Sequence, residues 1–162
     1  MRRRLTAAPI IGLVLLTLAG CTTTPTSSTG STSSPASHTV SPLPAALAAT
    51  MKNVAGISRP VAFVQGLNQL KTAVADGNEA KVAAFGAYPL NVYSGGQKET
   101  IANARAFVQK YNLIMTGKVK AAILDQRVNQ LFVNDQGVMV GSGQVWLSQS
   151  GSRACIIISI NK

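Results

Sequence analysis

The stretch LFVNDQGVMVGSGQVWLSQSGSRACIIISINK, residues 131–162, decides the fold class because it consists of strand-forming runs separated by turn residues. The runs are rich in β-branched and aromatic residues, which favour strands. Two short polar segments that contain glycine, 134–137 and 150–152, are typical of hairpin turns. The stretch therefore predicts a three-stranded antiparallel meander of one short strand, one long strand and a final strand.

The long strand carries two glycines on one of its faces. Side chains alternate between the faces of a strand, so Gly141 and Gly143 share a face with Met139 and Leu147, whereas Trp146 belongs to the other face. Two glycines on one face leave a gap in the side-chain layer. We expect the sheet to bend sharply there; a close approach by another backbone or by a ligand is the alternative.

The final strand is apolar on both faces. Ala154, Ile156, Ile158 and Ile160 fall on one face, and Cys155, Ile157 and Ser159 on the other. An apolar strand of this kind promotes aggregation unless both of its faces are covered. The sequence therefore predicts that it lies in the middle of the sheet.

Helices are expected upstream of the meander. Apolar residues recur at helical spacing from Val61 to Val74, and 76–78 ends this helix. A shorter helical piece is expected at 79–85. The segment YPLNVYSGG, 88–96, predicts a short strand that ends at its glycine pair.

Two more helices are expected between that strand and the meander. One begins at Lys98, and it has an apolar side that comprises Ile101, Ala104, Phe107, Val108, Tyr111 and Ile114. Gly117 is expected to interrupt it before a third piece from Val119 to about Val128. The whole pattern predicts helices that cover one apolar sheet.

The order of elements resembles the cone-shaped α+β fold of the nuclear-transport-factor-two and cystatin-like group. The resemblance rests on FVQKYNLIMTGKVKAAI (107–123), LFVNDQGVMVGSGQVWL (131–147) and IIISIN (156–161). Small bacterial envelope proteins of unassigned function are similar over about 101–160. The resemblance implies an α+β domain with N-terminal helices packed on a curved, mainly antiparallel sheet. The fold hosts both enzymes and non-catalytic modules, so it implies no activity.

The N-terminus predicts an export signal. Arginines at positions 2–4 precede an apolar run of about a dozen residues, which is shorter than the roughly 20 residues of a membrane-spanning helix. Small residues follow it. The tetrapeptide Leu18-Ala19-Gly20-Cys21 resembles the lipobox of bacterial lipoproteins.

This second resemblance implies that the chain is cleaved after Gly20, that Cys21 carries a diacylglyceryl group, and that a fatty acid such as palmitate acylates the new amine. The lipid on Cys21 would anchor the protein to a membrane of the cell envelope. Thr22 implies transfer to the outer membrane, facing the periplasm, in a Gram-negative cell. The alternative is a secreted protein cut after Ala19, in which Cys21 can pair with Cys155.

We therefore expect three parts: a lipoprotein signal peptide (1–20), the lipidated cysteine with a disordered linker (21–44), and an α+β domain (45–162). In 22–42, Ser, Thr, Pro or Gly occupies 18 of 21 positions. Such a segment has too little apolar surface to offset the entropy of ordering it. We expect its one histidine, His38, to be a solvated residue and not a metal ligand, because a metal site needs several convergent ligands.

The charge balance limits the partners. The chain has 15 Lys and Arg against 5 Asp and Glu, and loss of the signal would leave twelve against five, or +7. These cations are dispersed, whereas nucleic-acid sites have a basic patch with aromatic platforms, so we expect no nucleic-acid partner. Anionic envelope polymers or lipid headgroups fit better, and a basic surface kept for solubility is the alternative.

The expected domain offers few groups for catalysis. It has no histidine and five carboxylates: Asp76, Glu79, Glu99, Asp125 and Asp135. Asp76 is expected at a helix end, Glu79 and Glu99 at helix starts, and Asp135 in a turn. Cys155 lies among β-branched residues, where a buried thiol is expected. We therefore expect no enzyme, no metal and no cofactor; a small enzyme of the ketosteroid-isomerase type is the alternative.

A binding function is the remaining expectation. Tyr93, Tyr111 and Trp146, with Gly141 and Gly143, are candidates for a pocket or partner surface because aromatic side chains give large contact areas with a polar end. Each aromatic residue is also an ordinary core residue. The expected partners are a small apolar ligand or another envelope protein, such as the target of an inhibitor or of an assembly accessory, and a homodimer through an exposed sheet face is a further expectation.

Overall fold

The computed structural model describes residues 43–162. The predictions for the signal peptide, for Cys21, for His38 and for nearly all of the linker lie outside these residues. The helices are α1 (Ala45–Asn53), α2 (Pro60–Ala75), α3 (Glu79–Ala84), α4 (Ala104–Gln109), α5 (Tyr111–Ile114) and α6 (Gly117–Asp125), and a single 3-10 turn spans Val128–Gln130. The strands are β1 (Gly86–Ser94), β2 (Gln97–Ile101), β3 (Phe132–Asn134), β4 (Gly137–Val140), β5 (Val145–Ser150) and β6 (Arg153–Asn161).

The strands form one six-stranded sheet in the order β2-β1-β6-β5-β4-β3. The pair β1 and β6 is parallel, and the other pairs are antiparallel. The chain is therefore an α+β protein with a mixed sheet. Because β6 lies between β1 and β5, the prediction that the final strand is central is confirmed.

Helix α2 agrees with the predicted amphipathic helix. Pro60 occupies its first turn, where its fixed φ is suitable and its missing N–H costs nothing. The helix ends at Ala75; Asp76 caps it, and Gly77 follows with a φ of +63°. Its buried side chains, from Phe63 to Val74, pack against the sheet. Val61 is 63% exposed, so its expected place on the buried side was wrong.

The helix expected from Lys98 does not begin there. Residues Gln97–Ile101 form β2, which pairs with β1 across a turn at Gly95 and Gly96. Both glycines have positive φ, as a two-residue hairpin turn requires. The helix starts only after Asn103, whose side-chain oxygen accepts a hydrogen bond from the Ala106 N–H at 2.9 Å.

The boundary at Gly117 also differs from the expectation. Gly117 is the first residue of α6. The Thr116 hydroxyl caps this helix by accepting a long hydrogen bond, 3.4 Å, from the Val119 N–H. Gly117 therefore begins a helix after a capping threonine, and it does not interrupt one.

The predicted long strand is two strands, β4 and β5. Residues 141–144 form the turn between them, with φ values of +66° at Gly141 and +100° at Gly143. The glycines thus permit a turn, and the expected bend of one continuous strand was wrong. The meander has four strands.

The turn also changes which residues share a face. Val138 and Val140 lie opposite Leu147 and Val145, and all four are buried. Met139 pairs with Trp146, and both side chains lie on the other face of the sheet. The expected faces therefore hold within each strand but not across the turn.

A β-bulge changes the expected faces of β6. Trp146 pairs with Ser159 whereas Leu147 pairs with Ile157, so Ile158 is the extra residue. A bulge reverses the alternation of side chains beyond it. Ile160 consequently belongs to the same buried core as Cys155 and Ile157, although their positions differ by an odd number of residues.

The core lies between the helices and one face of the sheet, which we call the inner face. The largest fully buried side chains of the described residues include Phe63, Leu67, Phe107, Ile123 and Ile157. Helix α2 packs on β6, and α6 packs on β5. None of the helices in 43–162 is long and apolar enough to cross a membrane.

Candidate functional site

The residues predicted as a site do not converge. Tyr93 and Trp146 lie on the outer face of the sheet, opposite the helices, but β6 separates them: Trp146 pairs with Ser159 and Tyr93 pairs with Asn161. Tyr93 is 38% exposed. Tyr111 lies in α5 within the core, so the three aromatic residues cannot line one pocket.

Tyr111 belongs to a row of packed aromatic rings. Its ring meets Phe107 edge-on with centroids 6.1 Å apart, and Phe107 meets Tyr88 at 6.5 Å. The Lys120 ammonium lies 5.0 Å from the Tyr111 centroid, which is a cation–π distance. The Tyr111 hydroxyl is buried without a hydrogen-bond partner among the described residues, and this burial raises its pKa.

Tyr88 has a structural role. Its hydroxyl donates to the Ala83 carbonyl at 2.8 Å. Burial raises the pKa of Tyr88 to about 12, and the nearby Arg153 charge opposes this shift only in part. The aromatic row therefore fills the space between β1 and the helices.

The two predicted glycines attach the β4–β5 turn to its neighbours. The Gly141 N–H donates to the side-chain oxygen of Gln126 at 2.7 Å, and the Gly143 carbonyl accepts from the Asn161 side chain. A side chain at position 141 would start 2.7 Å from the Ala122 Cβ. A shallow depression of about 240 Å³ lies beside Gly141, and its lining includes Asp125 and Gln130.

A larger depression lies elsewhere, and sequence reasoning missed it. Two connected hollows of about 390 Å³ each follow one side of α2 and share Gln69, Ala84 and Phe85. We call them together the α2–α3 groove. Its α2 wall comprises Ala62, Gln65, Gly66, Gln69, Thr72, Ala73 and the helix-end residue Asp76; its opposite wall and floor comprise Lys81, Ala84, Phe85, Arg153, Ala154 and Cys155.

Small residues create this groove. Ala62 and Ala73 lie along one side of α2, where larger side chains would fill the space, and Gly66 between them lets the helix approach the floor of the groove. From position 62 to 76 the helix rises about 20 Å. The sequence did contain this signal, but small residues add little to a hydrophobic pattern. The α2–α3 groove can therefore hold an elongated ligand.

Cys155 lies on the floor where α2 approaches the sheet. A Cβ on Gly66 would lie 2.5 Å from the Cys155 Cβ, so only glycine permits this approach. Cys155 is 6% exposed. Burial raises the pKa of its thiol to about 12, against a smaller opposing effect of Arg153. The thiol is therefore protonated near neutral pH and is a poor nucleophile.

Arg153 closes one end of the groove. Its guanidinium donates to the carbonyls of Ala84, the last residue of α3, and of Gly86, the first residue of β1, at 2.6 and 3.0 Å. The pairing of β6 with β1 begins only at Ile157, so this arginine joins the two segments where no ladder does. The exposed amides of Gln65 and Gln69 provide donors and acceptors along a mainly apolar wall. This combination suits an amphipathic ligand.

The carboxylates of the described residues are dispersed. Glu99 lies in β2, so its expected place at a helix start was wrong; it accepts a hydrogen bond from Lys110, and this bond lowers its pKa. Asp76 follows α2 and Asp125 ends α6. Within 43–162 no three residues of His, Cys, Asp or Glu are grouped so that they could hold a metal ion.

Comparison of the chain with models of protein families, with curated proteins and with solved structures finds no match.

Proposed function

We propose that this chain is a lipid-anchored protein of the cell envelope whose α+β domain binds a small amphipathic ligand without catalysis. The lipobox-like Leu18-Ala19-Gly20-Cys21 supports the anchor. The α2–α3 groove is the observation that carries the binding function, because it combines an apolar wall with amide groups. A partner protein that offers an apolar segment of similar length is the alternative occupant.

We also propose that the fold is the cone-shaped one of the nuclear-transport-factor-two and cystatin-like group. The support is the order of elements: helices, the β1–β2 hairpin, further helices and a meander. Its last strand lies beside the hairpin and parallel to β1. In this arrangement the helices cover one face of the sheet, and the other face is open.

The anchor is tested by the intact mass of protein extracted from membranes. We expect wild-type protein to begin at Cys21 and to carry the added mass of a diacylglyceryl group and an acyl chain. Cys21→Ala converts Ala19-Gly20-Cys21 into an Ala-x-Ala cleavage pattern, so this variant should be exported and released from the membrane. Wild-type protein without lipid, with Cys21 bonded to Cys155, would contradict the anchor.

The groove is tested by filling it. Ala84 lines both hollows and its side chain is exposed, so Ala84→Trp should block the groove without disturbing the core. We expect this variant to bind the dye 8-anilinonaphthalene-1-sulfonate at least tenfold more weakly than wild type, because the indole occupies the apolar space. The measurement is a fluorescence titration of the C21A form.

Ala121→Trp is the matched control, since Ala121 is exposed on α6 and does not line the groove. It should bind the dye as the parent does. Equal dye binding by both tryptophan variants and the parent would place the dye elsewhere and would refute the groove as the ligand site.

The outer sheet face favours the expected homodimer as a second proposal. Phe132, Met139 and Trp146 lie side by side on β3, β4 and β5. Phe132 is exposed and Trp146 is half-buried. Adjacent apolar side chains on an open sheet face are suited to contact with a second copy.

A further inference from the structure

A second surface of the domain combines apolar and basic groups. It comprises the turn between β1 and β2, helix α5 and the segment 161–162, and we call it the hairpin end. The Lys162 N–H donates to the Tyr93 carbonyl at 2.9 Å, and the Lys162 ammonium donates to the Leu113 carbonyl at 3.0 Å. These bonds hold α5 and the hairpin together.

The hairpin end exposes apolar side chains. Leu113 is 66% exposed, the highest value among the large apolar side chains that the structure describes. Tyr93 is exposed at the same end of the domain, because Lys162 donates hydrogen bonds to the main-chain carbonyls of both Tyr93 and Leu113. Neither side chain is used by the α2–α3 groove.

Three basic residues lie at the same end of the domain. Lys98 pairs with Tyr93 across the hairpin. Lys110 lies one turn before Leu113, and Lys162 bonds to it. The carboxylate in these contacts is that of Glu99, which bonds to Lys110. Three side-chain ammonium groups against one side-chain carboxylate give the side chains of this surface a net positive charge.

We propose that the hairpin end docks on an anionic lipid bilayer. The proposal rests on the lipid anchor at Cys21, which would keep the domain near a membrane. Residues 22–42 can span at most about 70 Å, so the anchor leaves the domain room to turn this surface towards the lipid. Leu113 and Tyr93 then enter the interfacial layer, and the lysines meet the headgroup phosphates.

The apolar residues distinguish a bilayer from an acidic polymer. A polymer in water would use the positive charges alone, and its binding would not depend on Leu113. A bilayer provides an apolar layer beneath its charges, and burial of a leucine side chain there is favourable. Charge complementarity together with an exposed leucine therefore points to the lipid surface.

The test uses the C21A form, which carries no lipid of its own, and co-sedimentation with vesicles. We expect binding to vesicles of phosphatidylcholine with phosphatidylglycerol and little binding to phosphatidylcholine alone. Leu113→Ser should weaken binding about tenfold. Lys98→Glu removes one attraction and adds one repulsion, so it should weaken binding about 25-fold.

Matched controls lie away from the hairpin end. Val61→Ser changes a side chain of nearly equal exposure, 63%, next to Arg59, which bonds to the β5–β6 turn. Lys52→Glu makes the same charge change on α1, which contacts β3 at the opposite edge of the sheet. Both should bind vesicles as the parent does.

Three results would overturn the proposal: no binding to anionic vesicles, equal losses in Lys98→Glu and Lys52→Glu, or binding that polyphosphate abolishes and that does not depend on Leu113. The last result would assign the surface to an acidic polymer. The mass measurement on Cys21 is independent of the vesicle assay, so failure of the anchor and failure of the docking surface are distinguishable.

Discussion

Replacing Gly66 with alanine is expected to lower the free energy of unfolding by about 2 to 3 kcal/mol. The new Cβ would lie 2.5 Å from the Cys155 Cβ, and neither atom can move without its backbone. Overpacking of this kind outweighs the gain of about 1 kcal/mol that alanine brings to a helix. Chemical unfolding followed by circular dichroism measures the difference, and the melting temperature should fall by roughly 10 °C.

Gly117→Ala is the control for this substitution. Gly117 begins α6 with open space around its missing side chain and no positive φ, so alanine should be neutral or slightly stabilising there. Cys155→Gly removes the other atom of the clash, and in that background Gly66→Ala should cost much less. If Gly66→Ala instead stabilises the protein as Gly117→Ala does, α2 does not approach β6 as closely as described.

The second expected result is a loss of stability at alkaline pH through Cys155. The folded pKa of about 12 lies above the ordinary value of 9.0 because burial disfavours the thiolate. Burial of the protonated thiol therefore contributes fully to the free energy of unfolding below pH 9, and this contribution decreases as the pH rises towards 12. Between pH 8 and pH 11 we expect a loss of roughly 3 kcal/mol in the free energy of unfolding.

Cys155→Ala should lack this part of the pH dependence. Tyr88 and Tyr111 also have raised pKa values, so a smaller loss should remain above pH 10 in the variant. Urea unfolding of the C21A form with and without Cys155→Ala, at pH 8 and pH 11, measures the difference. If the free energy of unfolding falls equally in the two forms, the Cys155 thiol is accessible to water in the folded protein.

Strong hydrophobic periodicity explains what the sequence predicted well. Helix α2 and the central strand β6 have long apolar patterns, and the structure confirms both elements. The pattern failed at turns. Ile101 has helical spacing from the apolar residues after it, yet the glycine pair at 95–96 directs it into a hairpin strand. At 141–144 the sequence is compatible with one strand whose side chains alternate between faces, but the chain reverses direction there.

The groove was missed for a different reason. A groove forms where side chains are too small to fill the space between elements. The small residues Ala62 and Ala73 indicate it only once α3 and the start of β6 are placed beside α2. The predicted site residues failed because the same aromatic types fill cores and line surfaces. Tyr111 fills the core, whereas Tyr93 and Trp146 lie on the outer face.

The position of Trp146 makes the outer face optically observable. The chain has a single tryptophan, so its ultraviolet emission comes from one site that the helices do not cover. Docking of a second copy there would remove water from the indole and shift its emission to shorter wavelength. A ligand in the α2–α3 groove lies across the sheet from this fluorophore. The natural protein, without a label, can thus report whether its outer face is occupied.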